Sequence, residues 1–301
     1  MAQTALPELP PREVSTGIRR ILPTALKFFR SHRVAAFGAM ILLLYLVLAA
    51  FAPLIAPYQY QEQGVGEILA APSSQHLFGT DEFGRDVFSR VVHGSRISLR
   101  IGFIVVFVAG VGGSLIGLFS AIRGGWVDEL IMRISDIFLA VPDLILAIAI
   151  ATALGPSINN AIIGIALVRW THYARLMRSR VLVEKQKEYV LAARAMGATQ
   201  RRIMYVYIFP NSFSPVLVQA TLDFGWAILV AAGLSFVGAG AQPPLPEWGA
   251  LVASGRTYVT SAWWIATFPG LAILGVVLAS NLVGDALRDA TDPRLNHESG
   301  K

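Results

Sequence analysis

An all-α integral membrane protein with six transmembrane helices and both termini in the cytoplasm is the fold class that the sequence predicts. Three observations predict it. Hydrophobic residues make up 54% of the 301-residue chain and charged residues only 15%, whereas soluble domains carry about a quarter charged residues. Six apolar stretches are long enough to cross hydrocarbon, which takes about 20 helical residues because lipid offers the backbone no hydrogen-bond partner. Lysine and arginine are divided unevenly between the connecting segments, and that division sets the direction of insertion.

Residues 1–33 read as a cytoplasmic tail. They contain no apolar core, so they are not a signal peptide. Pro7, Pro10 and Pro11 break them up, and Arg12, Arg19, Arg20, Lys27, Arg30 and Arg33 make them basic. The membrane domain, 34–287, holds spans at Val34–Ala56, Ser98–Ile122, Ile131–Ala153, Ser157–Met177, Phe213–Val237 and Trp264–Leu287. The fourth is the most polar, with Asn159, Asn160 and Arg169. Residues 288–301 form a second tail.

The connecting segments fix the orientation. Between spans four and five lie Arg178, Arg180, Lys185, Lys187, Arg194, Arg201 and Arg202, with Arg175 just before them. The 57–97 loop has only Arg85, Arg90 and Arg96 against Glu62, Glu67, Asp81, Glu82 and Asp86, and the 238–263 loop has Arg256 and Glu247. The 178–210 segment and both tails are therefore cytoplasmic, and 57–97 and 238–263 are outer loops. In the first outer loop, Gly84–Leu99 alternates apolar and basic residues as an interfacial helix would. In the second, Pro246–Gly255 has Pro and Glu in a first turn and Gly at the end, a short capped helix. Trp248, Trp263 and Trp264 suit the aromatic belt at the outer interface.

Several activities are excluded. The chain has no cysteine, hence no disulfide, thiolate metal site or cysteine nucleophile. Its only Gly-Lys pair is Gly300–Lys301, so it has no phosphate loop for ATP. Five scattered histidines without H-E-x-x-H make no metalloprotease. A membrane-embedded hydrolase and a self-sufficient secondary transporter stay as remote alternatives, the first with no apparent nucleophile–base pair, the second needing inverted repeats or broken helices with an ion site. The net charge of +6 sits beside apolar spans, so topology explains it better than nucleic acid does. A conduit fits better than an enzyme.

Asp143, just after Pro142, and Asp223 fall near the middle of spans three and five, about 18 Å and 15 Å of helix rise from the cytoplasmic edge. An aspartate at that depth costs about 2.5–3.5 kcal/mol, so it faces either a cavity or a partner group. It therefore lines a path that meets a cationic amine, makes an interhelical hydrogen bond, or stays a protonated carboxyl with no substrate role. Asp136 and Arg169 lie nearer the cytoplasmic edge and are expected to snorkel. Gly113-x-x-x-Gly117 predicts close helix packing within the subunit.

Between Gly197 and Pro210, with Ala192-Ala193 ahead of them, the spacing resembles the "EAA" loop of ABC importer permeases, E-A-A-x(3)-G-x(9)-I-x-L-P. Leu191 stands in place of the Glu, Tyr207 of the Ile and Phe209 of the Leu. His76–Leu99, Phe236–Gly255, Phe268–Leu295 and Ala52–Tyr58 are similar, in the same order, to segments of the dipeptide/oligopeptide/nickel permease family. Nearly the whole chain after about residue 27 resembles its C-type subunit, and dipeptide-type members look closest. Oligopeptides, glutathione-like peptides and nickel chelates use the same scaffold.

The resemblance implies a type I ABC importer permease fold of six helices in the bacterial cytoplasmic (inner) membrane. It implies a homologous B-type permease partner, two cytoplasmic ATPase subunits that use ATP and Mg, and an extracytoplasmic substrate-binding protein. This chain itself would bind no cofactor. The 178–210 segment would form a coupling helix docked on an ATPase through Glu188, Ala192, Ala193, Gly197 and Pro210. Residue physics agrees: small alanines allow close approach, Gly197 allows a sharp break, and Pro210 is expected to stop the second helix. The length and mixed charge of the outer loops suggest binding-protein contact at Asp81, Arg85, Asp86 and Glu247. An internal salt-bridge cluster at Asp81, Arg85 and Asp86 is the equal alternative.

Overall fold

The computed structural model describes residues 33–291, so the basic N-terminal tail and nearly all of the C-terminal tail lie outside the described residues. Among these residues every regular element is helical, and the only β-type pairing is an isolated bridge between Thr80 and Asp86. In chain order the helices are α1 (Arg33–Ala50), α2 (Ala52–Ile55), α3 (Val87–Arg123), α4 (Gly125–Leu139), α5 (Asp143–Leu154) and α6 (Ile158–Glu184). They continue with α7 (Glu188–Ala195), α8 (Gln200–Phe236), α9 (Trp248–Gly255) and α10 (Trp264–Thr291). α1, α3, α8 and α10 are each long and apolar enough to cross a membrane, and α4 with α5 makes a fifth crossing if the bent pair counts as one.

Two expected elements, one span and one interfacial helix, differ from the sequence reading. The stretch 131–153 is not one helix. It breaks between Leu139 and Asp143, and the two pieces meet at 90°. Pro142 is the cause, because proline removes a helical donor and its ring clashes with the preceding turn. Residues 84–99 do not form a separate interfacial helix. Asp86 caps them, its side chain accepting from Ser89 N at 2.7 Å. They then run without interruption into the second span, giving a 37-residue helix about 55 Å long.

α6 is the centre of the bundle although it is the most polar long helix. Ser157 caps it by accepting from Asn160 N at 3.1 Å, and Ile165, Val168, Tyr173 and Met177 on it are buried almost completely. It lies against α3, α5 and α8. α3 can approach α6 closely because Gly113 and Gly117 face it. A Cβ on Gly117 would stand 2.1 Å from the carbonyl oxygen of Ala174, and one on Gly113 2.3 Å from that of Trp170. The small-residue motif thus packs within the chain. α1, by contrast, turns Leu43, Leu44 and Leu46 outward, as a lipid-facing helix must.

Apolar side chains fill three successive clusters along the bundle. One, around Trp248, Ile228 and Ile265, lies at the end formed by the 57–97 and 238–263 loops. A middle cluster holds Ile165, Val105 and Leu234. The third, around Tyr173, Met177, Val190 and Ile208, anchors the 178–210 segment. Trp248 and Trp264 are inside the first cluster, not in an aromatic belt. Their indole nitrogens donate to the carbonyl oxygens of Val91 at 2.9 Å and Thr80 at 3.0 Å. Trp263 alone of the three is half exposed.

Gly117→Ala therefore overpacks the α3–α6 seam and lowers stability by about 1–3 kcal/mol, read as a fall in thermal unfolding temperature. Gly112→Ala, where a Cβ meets nothing within 4 Å outside its own helix, does not lower that temperature and raises it if anything, alanine being the better helix former.

Candidate functional site

The most strongly charged feature inside the bundle is a ladder on α6. Arg169, His172, Arg175 and Arg178 recur every three residues, so they wind slowly around one side of the helix. Each meets an acid. Arg169 grips Asp223 of α8 with two donors, Nε to Oδ2 at 2.9 Å and NH2 to Oδ1 at 2.5 Å, and sends NH1 to Asp143 Oδ2 at 3.3 Å. His172 Nε2 stands 3.2 Å from Asp143 Oδ2, off the line of a hydrogen bond. Arg175 bonds Asp136. Arg178 takes Asp128 with Nε to Oδ1 at 2.6 Å and NH2 to Oδ2 at 2.5 Å.

Three of those acids, Asp128, Asp136 and Asp143, belong to the bent pair α4–α5, so the ladder fastens the broken element to the central helix. The rungs differ in strength. The Arg175–Asp136 pair is about half exposed on both sides and adds little, as surface pairs do. The Arg169–Asp223 pair is buried, at 11% and 2% side-chain exposure, with Trp226 stacked 4.3 Å from the guanidinium carbon. Gln219 donates to Asp223 Oδ1 at 2.8 Å. Arg169 therefore does not snorkel to an edge; its charge is answered where it lies. Asp223 faces that arginine and is buried within this chain, making an interhelical ion pair. Asp143 is shared between Arg169 and His172 and is one-quarter exposed.

The 178–210 segment forms a helix, a break and a second helix. α7 ends in paired bonds, Gly197 N to Arg194 O at 3.0 Å and Ala198 N to Ala193 O at 3.1 Å, with Gly197 at φ +81°. This is the Schellman termination, which needs a residue free to enter the left-handed region. Thr199 then caps the next helix. Val190 and Ala193 point into the bundle, whereas Glu188, Leu191, Ala192 and Met196 point away from it. Pro210 does not stop the second helix. The chain passes through a π-helical turn, Ile203–Ile208, in which Phe209 N bonds back five residues to Met204 O. Such a wide turn accommodates a proline without ending the helix.

This segment is tied to the bundle by polar contacts as well. Lys185 Nζ donates to Ala121 O near the end of α3. Glu184 accepts from Lys187 Nζ at 2.6 Å and from the Tyr189 hydroxyl. Burial first, and then Glu184, push the Tyr189 phenol up to about 12, so it remains a donor at neutral pH.

At the opposite end, Asp81 is the hub of the 57–97 loop. Oδ2 accepts from Arg85 Nε at 2.6 Å and Arg90 NH1 at 2.5 Å, and Oδ1 from the backbone N–H groups of Phe83 and Arg85 at 2.9 Å and 3.0 Å. Asp86, besides capping α3, meets His76 Nδ1 at 2.9 Å. Glu247 is fully buried as the cap of α9, accepting from Ala250 N at 3.0 Å. All four residues singled out for contact with a delivery protein are buried in this chain. Their charges order the loops internally.

No group of three or more histidine, cysteine, aspartate or glutamate side chains that could hold a metal occurs among the described residues. Several helices long and apolar enough to cross a membrane, joined by ion pairs between helices, define a multi-pass membrane protein. The comparisons give that class its family. A family model described as "binding-protein-dependent transport system inner membrane component" matches residues 113–297, more than half of the chain. A second, the N-terminal transmembrane domain of oligopeptide transport permease C, matches residues 24–72.

The dipeptide transport system permease protein of Alkalihalophilus pseudofirmus is 44% identical over 97% of this chain and 96% of its own length. That of Escherichia coli K12 is 47% identical over 89% and 91%. A subunit of the inward-facing MetNI methionine ABC transporter shares the fold at a TM-score of 0.55 and 20% identity, over 67% of this chain and 96% of that one. The chain belongs to the binding-protein-dependent transport system inner membrane component family.

The ladder was readable as a pattern, four basic positions at three-residue spacing opposite acids seven or eight apart. Reading Arg175 and Arg178 only as markers of topology hid it. Arg169→Leu strands Asp223 without a counter-ion and is expected to destabilise the protein by about 3–5 kcal/mol. The double change Arg169→Leu/Asp223→Leu removes both buried charges and recovers most of that loss in thermal unfolding. A double variant no more stable than the single one contradicts this assignment.

Proposed function

We propose that the chain is the C-type permease subunit of an ATP-driven importer and forms half of a translocation path for dipeptides. It crosses the bacterial cytoplasmic membrane six times with both termini in the cytoplasm, α4 with α5 and α6 supplying the third and fourth crossings. The lysine and arginine excess of the 178–210 segment supports that direction. The dipeptide transport names of relatives aligned over nearly their whole length support the substrate class.

The observation that carries the reading is the form of residues 184–211. α7 is anchored on its inner side by Val190 and Ala193 and presents Glu188, Leu191, Ala192 and Met196 on the other. Such a ridge fits a groove on a cytoplasmic ATPase. A homologous B-type permease completes the path, two ATPase subunits use ATP and Mg, and a substrate-binding protein delivers the peptide at the outer face. Closure of the ATPases displaces α7, and displacement of α7 pulls on α6 and α3 through Glu184 and Lys185. The paired bundles then rock between outward and inward access, a rigid-body switch between two packed states.

Gly197→Arg tests this directly. Its chain neighbours aside, no described residue lies within 4 Å of a Cβ at that position, so the variant inserts and accumulates, at a conformational cost of about 1–2 kcal/mol. The added side chain projects where the ATPase is to dock. In proteoliposomes holding all partners, dipeptide-stimulated ATP hydrolysis is expected to be lost. Hydrolysis at the wild-type rate contradicts the proposed docking.

A further inference from the structure

The charges at the middle of the bundle do not balance. Arg169 brings one positive charge against two carboxylates, Asp223 and Asp143. Asp223 is satisfied, receiving two bonds from Arg169 and one from Gln219, and it is sealed from solvent. Asp143 is not. Its Oδ2 receives Arg169 NH1 at the long distance of 3.3 Å, and His172 Nε2 stands at 3.2 Å in poor alignment. Among the described residues no hydrogen bond reaches its Oδ1; the one bond to this carboxylate is that from Arg169 to Oδ2. Arg169 spends its two short bonds on Asp223, and the carboxylate it answers less well is the one that is 25% exposed.

The backbone points the same way. Asp143 is the first residue of α5, immediately after the 90° bend at Pro142. Broken backbone at membrane depth persists only against protein or beside a water-filled cavity, and broken helices near the midplane are where transported groups are held. Residues 140–142 are exposed, so none of the described residues covers the break. Lipid is a poor cover for an ionised carboxylate. A path that carries cationic groups is a good one.

We propose that Asp143 Oδ1 receives the α-ammonium group of a peptide in transit. His172 flanks the site, and Arg169 is held by Asp223 as a fixed counter-ion. The proposal rests on the reading of the chain as a peptide permease subunit and deepens it. Asp223 takes no part, because its oxygens are already used. The local charge favours peptides with a free amino terminus over acylated ones. A single half-answered carboxylate binds weakly, as a site on a path must if cargo is to leave it.

The test uses the complete complex of both permeases and both ATPases in nanodiscs, without nucleotide or delivery protein. The probes are L-alanyl-L-alanine and propionyl-L-alanine, which lacks only the amino group. The wild type is expected to prefer the dipeptide. Asp143→Asn is expected to weaken dipeptide binding about ten-fold or more, the weight of one charge-assisted bond, and to leave the propionyl analogue unchanged, while Asp143→Glu keeps the preference.

Wild-type dipeptide affinity in Asp143→Asn overturns the proposal. Equal weakening of both probes overturns it too, since Asp143 would then act only by holding Arg169. So does loss of the partner permease from the variant, which makes Asp143 a subunit contact, or a wild type that binds neither probe. ATP-driven uptake of L-alanyl-L-alanine by the wild type separates the two levels. If uptake is normal while any of these results holds, the permease reading stands and the Asp143 site falls. If the wild type takes up no dipeptide, both fall.

Discussion

The fold depends on how the buried arginines are answered. A guanidinium in a weakly solvated bundle is tolerable only where a carboxylate meets it with good geometry, because desolvation of both ions must be offset by their attraction and by bonds to the remaining donors. α6 carries its cations at three-residue intervals and sits at the centre, so each acid-bearing neighbour is drawn to a set height on it. Asp223 fixes α8. Asp128 and Asp143 hold the bent pair α4–α5, the half-exposed Asp136 adding little. Close approach of α3 at Gly113 and Gly117 then brings the longest helix against the opposite side.

That arrangement joins the two ends of the molecule. α3 begins at the Asp86 cap beside the Asp81 hub, where two arginines converge, and it ends next to Lys185 and Asp128, where the 178–210 segment departs. It is one helix without a proline. A displacement at α7 therefore reaches the far loops through a stiff rod as well as through packing. The far loops are themselves well ordered, since Asp81, Glu247, Trp248 and Trp264 all spend their polar groups inside the chain.

Much of this was legible in the sequence. The apolar stretches, the capped helix at 248–255 and the helix–break–helix at 188–208 follow from composition, capping residues and a glycine placed where φ must be positive. What was not legible depends on partners distant in sequence. Pro142 inside an apolar run reads equally as a kink or as a 90° break. Pro210 reads as a stop until a π turn absorbs it. Trp248 and Glu247 look like surface residues until a tight turn carries them under α3. Asp143 and Asp223 look alike in sequence. They differ because one arginine, 54 residues from Asp223 and 26 from Asp143, reaches the two unequally.

The ladder is tested most directly at the Arg178–Asp128 rung, by exchanging its charges in the assembled transporter. Arg178→Asp and Asp128→Arg each place like charges against one another. Each is expected to lower both the thermal unfolding temperature and ATP-driven uptake. The exchange Arg178→Asp/Asp128→Arg restores opposite charges between α4 and α6 and is predicted to recover most of both. An exchanged protein as impaired as either single variant would show that α4 is held against α6 by something other than this pairing, and the ladder would not be what shapes the bundle.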